Sequence, residues 1–221
     1  IPLLEIVSEP DLSSPQEAFD YLTGLKSIVE YLDVSDCDME KGSLRCDANI
    51  SLRPVGEVKY GTRTEIKNIN SFKFVERALE YEVARQMSLL KSGKQIQQET
   101  LLFDSASGVT KPMRSKEESA DYRYFPDPDL PPLVIEESWI REIESRMPKL
   151  PAQRVKELVE GYGLTAYDAH VLTAERSFVD YFEEVFRGCQ NAKIACAWVT
   201  SELFGALNKA GLDLAKSPIS A

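Results

Sequence analysis

The segment from Leu44 to Arg53 alternates between apolar and polar side chains. Its polar positions hold residues able to do chemistry: Arg45, Asp47, Asn49, Ser51 and Arg53. Side chains two residues apart on a strand lie roughly 6–7 Å apart on one face, so Asp47 and Asn49 are placed to share one oxygen-seeking cation. The arginines would then flank a polyanion. The alternative is a solvated strand face without a ligand.

A second polar face follows in the segment 62–70, where Arg63, Glu65 and Lys67 share one parity. Paired with the first strand in a hairpin, this segment would gather carboxylates, amides and cations on one sheet surface. Carboxylate and amide oxygens are ligands for Mg²⁺, and lysine and arginine bind phosphate. Such a surface suits metal–phosphate chemistry.

Two stretches outside these strands carry further candidates. The apolar run at 1–11 predicts a short strand that ends in a turn and contains Glu5. If that strand is buried, the carboxylate must be paired, protonated or bound to a metal; an exposed edge strand is the alternative.

The segment 114–132 carries Arg114 and Arg123, which suit phosphate, and an aromatic cluster around Tyr122 that would stack on a base. Ordinary loop packing is the alternative there.

The remaining segments up to residue 132 predict the scaffold of an α+β unit with a mostly antiparallel sheet. A start signal at Ser14 and Pro15, followed by helical spacing, predicts a helix that runs to about Leu32. A second helix is predicted over 72–92, and its expected buried stripe is Val75, Leu79, Val83, Met87 and Leu90. Strands at 99–104 and 109–114 predict a hairpin.

The prolines at 126–132 mark a predicted domain boundary, and the residues from 133 to 221 predict only helices. These helices are expected at 138–146, 151–160, 166–174, 176–187 and 192–209. Because the connections are short, we expect a compact all-α bundle. Bundles of this kind often dock other macromolecules, and nothing in its sequence indicates chemistry.

Composition limits the classes of function. The net charge is −10, which argues against a generally basic nucleic-acid binder, and no DNA partner is expected. The four cysteines contain no Cys-x-x-Cys pair and there is one histidine, so a zinc site is not expected and the thiols should be reduced. No apolar run is long enough to span a membrane. We therefore expect a soluble cytoplasmic protein, with an organelle interior left open.

Four stretches, taken together, closely resemble the B subunit of the aspartyl/glutamyl-tRNA amidotransferases. They are Pro2-Leu3-Leu4-Glu5-Ile6-Val7-Ser8-Glu9-Pro10-Asp11, Gly42-Ser43-Leu44-Arg45-Cys46-Asp47-Ala48-Asn49-Ile50-Ser51, Thr64-Glu65-Ile66-Lys67-Asn68-Ile69-Asn70-Ser71-Phe72 and Asp121-Tyr122-Arg123-Tyr124-Phe125-Pro126-Asp127-Pro128-Asp129. They occur in the family's order, and the resemblance extends over essentially the whole chain.

The resemblance implies an ATP- and Mg²⁺-dependent ligase. In this family a kinase-like "cradle" domain, similar in fold to glutamine synthetase and the guanido kinases, precedes a helical domain and a small tail domain. The side-chain carboxylate of Glu-tRNA(Gln) or Asp-tRNA(Asn) is phosphorylated by ATP, and ammonia then displaces the phosphate. The implied partners are the misacylated tRNA, an amidase A subunit that supplies ammonia from glutamine, and a small C subunit.

The resemblance also implies roles for individual residues. The implied metal ligands are Glu5, Asp47 and Asn49, whose side-chain oxygens are hard ligands for Mg²⁺. The implied catalytic residues are Glu5, Asp47, Glu65 and Lys67. The implied nucleotide-binding residues are Asn49, Asn68, Arg114, Tyr122 and Arg123. The first half of the cradle and the tail would lie outside this chain, so 1–132 is expected to be the second cradle half and 133–221 the helical domain.

Two hypotheses about the chain itself remain open at this point. In the first, it is a ligase fragment whose sheet face forms part of the ATP/Mg²⁺ site, although the isolated fragment is expected to be inactive. In the second, it is a non-catalytic module that docks tRNA and the amidase subunit. Convergence of Glu5, Asp47 and Glu65 on one concave face would favour the first hypothesis.

Overall fold

The computed structural model describes residues 3–113 and 128–221, and the chain divides into two compact units. The first unit comprises Ile1–Leu25 and Ser35–Leu133, and the second comprises Lys26–Val34 and Val134–Ala221. Each unit has its own hydrophobic core and is described separately. The assignment of 1–132 to half of a cradle and of 133–221 to a helical domain stays a prediction.

The first unit is built on a four-stranded sheet in the order β1-β2-β3-β4. The strands are β1 (Cys46–Ile50), β2 (Thr64–Ile69), β3 (Thr100–Asp104) and β4 (Val109–Pro112). The outer pairs are antiparallel, whereas β2 and β3 are parallel. A parallel pair needs a crossover, which helix α2 (Phe72–Lys91) provides. The predicted α+β class is confirmed, with a mixed sheet in which one of the three pairings is parallel.

The inner face of the sheet is covered by α2 and by the first part of helix α1 (Pro15–Tyr31). Both helices begin where the sequence predicts, because a serine hydroxyl caps each one: Ser14 accepts a hydrogen bond from the Glu17 amide, and Ser71 accepts one from the Phe74 amide. The core beneath the sheet consists of Leu22, Ala48, Ile66, Ile69, Val75, Ala78, Leu79 and Phe103. The other face of the sheet carries mainly polar side chains, together with the exposed Leu102 opposite Lys67.

Strand β2 contains a β-bulge at Asn68. The register of its pairing with β1 shifts there by one residue, between the pairs Cys46–Ile69 and Ala48–Ile66. The backbone of Asn68 has a φ of 65°, in the left-handed region that asparagine tolerates better than most residues. Because of the extra residue, Lys67 and Asn68 both lie on the outer face and Ile69 returns to the core.

The strand predicted at 1–11 is wrong over the described residues. Residues 3–9 form neither strand nor helix, and the side chains of Leu3 and Val7 are 92% and 82% exposed. A strand forms only when a neighbouring backbone pairs with it, and in the described part of the chain the sheet ends at β1. An apolar run does not supply that partner by itself.

The buried stripe predicted for α2 is correct in its first half and wrong in its second. Val75 and Leu79 are buried, but Met87 and Leu90 are each more than 40% exposed. The predicted stripe advances mostly in steps of four residues, and each such step rotates about 40° away from the original face. The positions that stay on the buried face are instead Glu82 and Gln86.

Glu82 is a fully buried carboxylate at the centre of a polar network. The guanidinium of Arg85 binds it side-on, with its Nε 2.8 Å from Oε2 and its Nη2 2.7 Å from Oε1. Oε1 also accepts hydrogen bonds from Thr64 on β2 and from the Gln86 amide, each at 3.0 Å, and Oε2 accepts one from Thr110 on β4 at 3.2 Å. The network therefore ties α2 to two strands.

In the loop between β1 and β2, the backbone at Gly61 lies very close to the backbone at Leu52. The guanidinium of Arg53 lies 4.6 Å from the centre of the Tyr60 ring and donates a hydrogen bond to the Val58 carbonyl. A Cβ atom at Gly61 would lie only 2.0 Å from the Leu52 carbonyl oxygen. Glycine at this position is therefore required by the space available.

The second unit is helical throughout its regular structure. Besides the end of α1 it contains α3 (Glu137–Arg146), α4 (Pro151–Glu160), α5 (Ala166–Leu172), α6 (Arg176–Cys189), α7 (Ala192–Ala197), α8 (Phe204–Ala210) and a short 3₁₀ helix (Leu214–Lys216). The helix predicted over 192–209 is interrupted by π-helical turns at Trp198–Leu203. The buried Tyr31 hydroxyl donates to the Thr173 carbonyl and joins α1 to this core. The bundle fold itself stays a prediction.

The second unit's core is formed by Leu158, Leu164, Ala169, Leu172, Val179, Phe182, Ala195, Cys196 and Val199. Within the described ranges, the helices are all too short or too polar to cross a lipid bilayer.

The Gly61 contact predicts opposite effects for one substitution at two glycines. Gly61→Ala should lower the free energy of unfolding by about 1–3 kcal/mol, because the backbone must shift to admit the methyl group. Gly24→Ala is the matched control: Gly24 lies within α1 with no atom within 4 Å of the new Cβ, so this change should stabilise by about 0.5–1 kcal/mol. Urea unfolding gives the free energy of unfolding of both variants. Equal changes in the two variants would contradict the close approach of Gly61 to the Leu52 carbonyl oxygen.

The Glu82 network predicts a dependence of stability on pH. Burial acts to raise the pKa of Glu82, but hydrogen bonds from Arg85, Gln86 and Thr64 outweigh it, so the pKa lies below its ordinary value of 4.5. A carboxylate whose pKa is lowered by folding stabilises the protein above its unfolded-state pKa, and this contribution is lost as the pH falls through the folded-state pKa. We expect wild type to lose stability progressively below about pH 4.5.

Glu82→Gln should cost about 3 kcal/mol or more at pH 7, because it leaves the Arg85 charge without its buried partner. Between pH 5 and pH 3 the variant should also lose less stability than wild type, because glutamine does not titrate and the variant therefore lacks the contribution of the Glu82 carboxylate. Glu80→Gln, at an exposed position of the same helix, is the control and should change stability by less than about 0.5 kcal/mol. A Glu82→Gln protein as stable as wild type at neutral pH would refute the role of the network.

Candidate functional site

The outer face of the sheet brings together side chains from three strands. Asn49 on β1 lies opposite Glu65 on β2, and Glu65 lies opposite Thr100 on β3. Asp47 and Lys67 form the next row on the same face. Because strand side chains alternate between faces, this polar surface is the direct counterpart of the core on the inner side.

Lys67 is the cation at the centre of this surface. Its Nζ lies 2.7 Å from Oδ2 of Asp47 and 3.3 Å from Oε1 of Glu65. The hydrogen bond to Asp47 raises the pKa of Lys67, partial burial opposes that shift, and Glu65 adds to it, so the ammonium stays charged at neutral pH. The two carboxylates, on different strands, therefore both lie within reach of one ammonium group.

The carboxylate of Glu65 is more constrained than that of Asp47. While Oε1 faces Lys67, Oε2 accepts a hydrogen bond of 3.1 Å from the Thr100 hydroxyl. The backbone amide of Glu65 donates to the Glu99 carbonyl at 3.1 Å. The Glu65 side chain is 32% exposed and that of Asp47 50% exposed, so both remain accessible to a ligand from the solvent side.

The donor atoms on this face fit Mg²⁺ bound partly through water. Mg²⁺ usually retains several waters and is held by one or two carboxylates together with substrate phosphates. Asp47 and Glu65 supply two carboxylates that already share a cation, and Asn49 adds an amide. In the described ranges no three His, Cys, Asp or Glu side chains form a group able to hold a metal ion.

Two other predicted site residues, Glu5 and Asn68, are not part of the group around Lys67. Glu5 is exposed in the irregular segment near the start of the chain and forms no such metal-binding group with Asp47 and Glu65. The amide nitrogen of Asn68 donates to the Phe103 carbonyl at 3.2 Å, so its position in the bulge has a structural explanation. Their roles in metal and nucleotide binding stay predictions.

Three predicted nucleotide-binding residues, Arg114, Tyr122 and Arg123, lie outside the described residues. Their roles, and the stacking proposed for the aromatic cluster, also stay predictions.

The sequence pattern does not single out Thr100, which lies beside Glu65 on this face, or Glu82 and Arg85 on the helix beneath the sheet. It predicts Thr100 only as part of a hairpin strand. A signal was present: Glu82 is seven residues after the buried Val75, which returns it to the same side of a helix. A carboxylate at such a position, followed three residues later by an arginine, indicates a buried ion pair.

Comparison with known proteins gives consistent results. A family model described as "GatB/GatE catalytic domain" matches residues 1–141. The chain is 55% identical over 219 residues to the B subunit of the aspartyl/glutamyl-tRNA(Asn/Gln) amidotransferase of Carboxydothermus hydrogenoformans, covering 99% of this chain and 46% of that protein. It is 56% identical over 220 residues to the protein of the same name from Nitrosococcus oceani, again covering 99% and 46%. The chain spans about half the length of the curated relatives it matches.

The family model covers more than half of the chain, and the relatives align with nearly all of it. The resemblance inferred from the four sequence stretches is thereby confirmed. The chain belongs to the GatB/GatE catalytic domain family, together with the B subunits of the aspartyl/glutamyl-tRNA amidotransferases.

Proposed function

We propose that this chain is part of a ligase subunit that uses ATP and Mg²⁺ to phosphorylate the side-chain carboxylate of Glu-tRNA(Gln) or Asp-tRNA(Asn). Ammonia then displaces the phosphate and leaves the amide. The observation that carries the proposal is the position of Lys67 between Asp47 and Glu65 on an exposed sheet face. Family membership and the names of the relatives support the same reaction class.

The chemistry explains why such a face is needed. A carboxylate at neutral pH is a poor electrophile, so amide formation requires that one of its oxygens first become a phosphate leaving group. Bound Mg²⁺ would neutralise the phosphate oxygens during that transfer. Asp47, Glu65 and Asn49 would hold the ion, and the Lys67 ammonium would hold the transferred phosphate by charge-assisted hydrogen bonds.

The partners follow from the same reaction. We propose a misacylated tRNA as substrate, an amidase A subunit as the source of ammonia and a small C subunit in a three-subunit complex, acting in the cytoplasm. The relatives' names include both the Asn and Gln acceptors, and the choice between them depends on which misacylated tRNA the cell makes. The chain assayed alone is expected to be inactive.

The test replaces Asp47 by Asn in the full-length subunit, assembled with its A and C partners. Asp47→Asn removes a negative charge from the face while keeping the size of the side chain, so tRNA-dependent ATP hydrolysis should fall by about 10–100-fold. Glutaminase activity should be unchanged, because that reaction belongs to the other subunit, and it also reports on assembly.

Asp104→Asn is the matched control. Asp104 lies at the end of β3 of the same sheet and is also paired with a lysine, Lys111, but it is not part of the group around Lys67. The control should retain wild-type ATP hydrolysis. Wild-type ATP hydrolysis in the Asp47→Asn complex, with intact glutaminase activity, would overturn the assignment of this face to phosphorylation.

A further inference from the structure

We propose that Thr100 is a positioning residue for the Glu65 carboxylate and that the Arg85–Glu99 ion pair holds Thr100 in place. The proposal rests on the proposed function, because it matters only if Glu65 contributes to Mg²⁺ binding. It assigns a role to residues that lie beneath and beside the candidate site and do not touch a ligand.

The first step is the hydrogen bond between the two side chains. The Thr100 hydroxyl donates to Oε2 of Glu65 at 3.1 Å, while Oε1 faces Lys67 at 3.3 Å. A carboxylate whose second oxygen is held in this way loses rotational freedom, and its first oxygen stays directed towards the cation. Preorganisation of this kind lowers the entropic cost of binding a metal ion.

The second step is the backbone around Thr100, which is fixed on both sides. The Glu65 amide donates to the Glu99 carbonyl at 3.1 Å, and the Met113 amide donates to the Thr100 carbonyl at 2.9 Å. The hydroxyl of Thr100 is therefore carried by a strand that is hydrogen-bonded on either side. Movement of Thr100 relative to Glu65 would require the parallel pairing between β2 and β3 to break.

The third step is the anchor beneath the sheet. The Arg85 guanidinium binds the buried Glu82 side-on and also reaches Oε1 of Glu99 at 3.1 Å. Glu99 directly precedes Thr100, so α2 holds the start of β3 through an ion pair that is about three-quarters buried on both sides. The chain of contacts runs from Glu82 through Arg85 and Glu99 to the Thr100–Glu65 pair.

The test compares Thr100→Val with Thr100→Ser in the full-length subunit with its partner subunits. Valine keeps the shape but removes the donor, so the Mg²⁺ concentration for half-maximal tRNA-dependent ATP hydrolysis should rise by about 10–100-fold. Mn²⁺ affinity, measured by calorimetry with a non-hydrolysable ATP analogue and without tRNA, should weaken in parallel. Thr100→Ser keeps the hydroxyl and should retain wild-type values in both measurements.

Phe103→Leu is the matched control for loss of stability. The Phe103 side chain is buried in the core on the inner face of the same strand and takes no part in the contacts that run from Glu82 to Glu65. This variant should melt at a lower temperature than Thr100→Val and leave the Mg²⁺ requirement unchanged. An equal rise in the Mg²⁺ requirement of Phe103→Leu would mean that general loosening of the sheet causes the effect, and the positioning role would be rejected.

Glu65→Gln separates this inference from the proposed function. If Thr100 acts through Glu65, then adding Thr100→Val to Glu65→Gln should change neither metal affinity nor activity further. A normal Thr100→Val protein beside a defective Glu65→Gln protein would overturn the inference alone. Wild-type activity and Mn²⁺ affinity in Glu65→Gln would overturn both the inference and the assignment of Glu65 to the site.

Discussion

The first unit depends on a carboxylate that has no access to water. Burying the Glu82 charge is costly unless cationic and polar groups surround it, and Arg85, Gln86, Thr64 and Thr110 supply these groups from one helix and two strands. The same contacts prevent the helix from sliding along the sheet, because any slip would break several hydrogen bonds in an apolar environment. The network thus fixes the helix that connects the two parallel strands of the sheet.

The position of Lys67 on the outer face comes from strand alternation in β2, which places Glu65 and Lys67 on the same side. The bulge at Asn68 adds a residue after Lys67, so Asn68 also lies on the outer face and Ile69 returns to the core. Bulges bend a strand locally and redirect its side chains, and they are common next to functional sites. The ammonium of Lys67 lies between Asp47 and Glu65, on a surface whose reverse side is a packed core.

Local patterns in the sequence predicted the elements that form from local interactions. The start signal at Ser14 and Pro15 located the beginning of α1, and alternation located β1, because both signals depend on neighbours along the chain. The segment around Glu5 failed as a strand because pairing partners are set by the tertiary fold. The burial of Glu82 was not predicted, because positions spaced strictly four residues apart drift around a helix. The bulge at Asn68 was not predicted either, because regular alternation of side chains along a strand gives no sign of an extra residue. The grouping of Asp47, Glu65 and Lys67 followed from the predicted hairpin, whereas the Thr100 contact required the parallel register of β2 and β3.

The central claim is that the face around Lys67 binds the metal ion used in phosphoryl transfer. The most direct measurement is an anomalous difference map of crystals of the full-length subunit complex grown with Mn²⁺ and a non-hydrolysable ATP analogue. The expected result is a manganese peak within about 2–2.5 Å of Asp47 or Glu65 oxygens, or one bridging water further away, with Lys67 turned towards phosphate. An ordered nucleotide with its manganese bound elsewhere, and the Asp47–Lys67–Glu65 ion pairs intact, would contradict the claim.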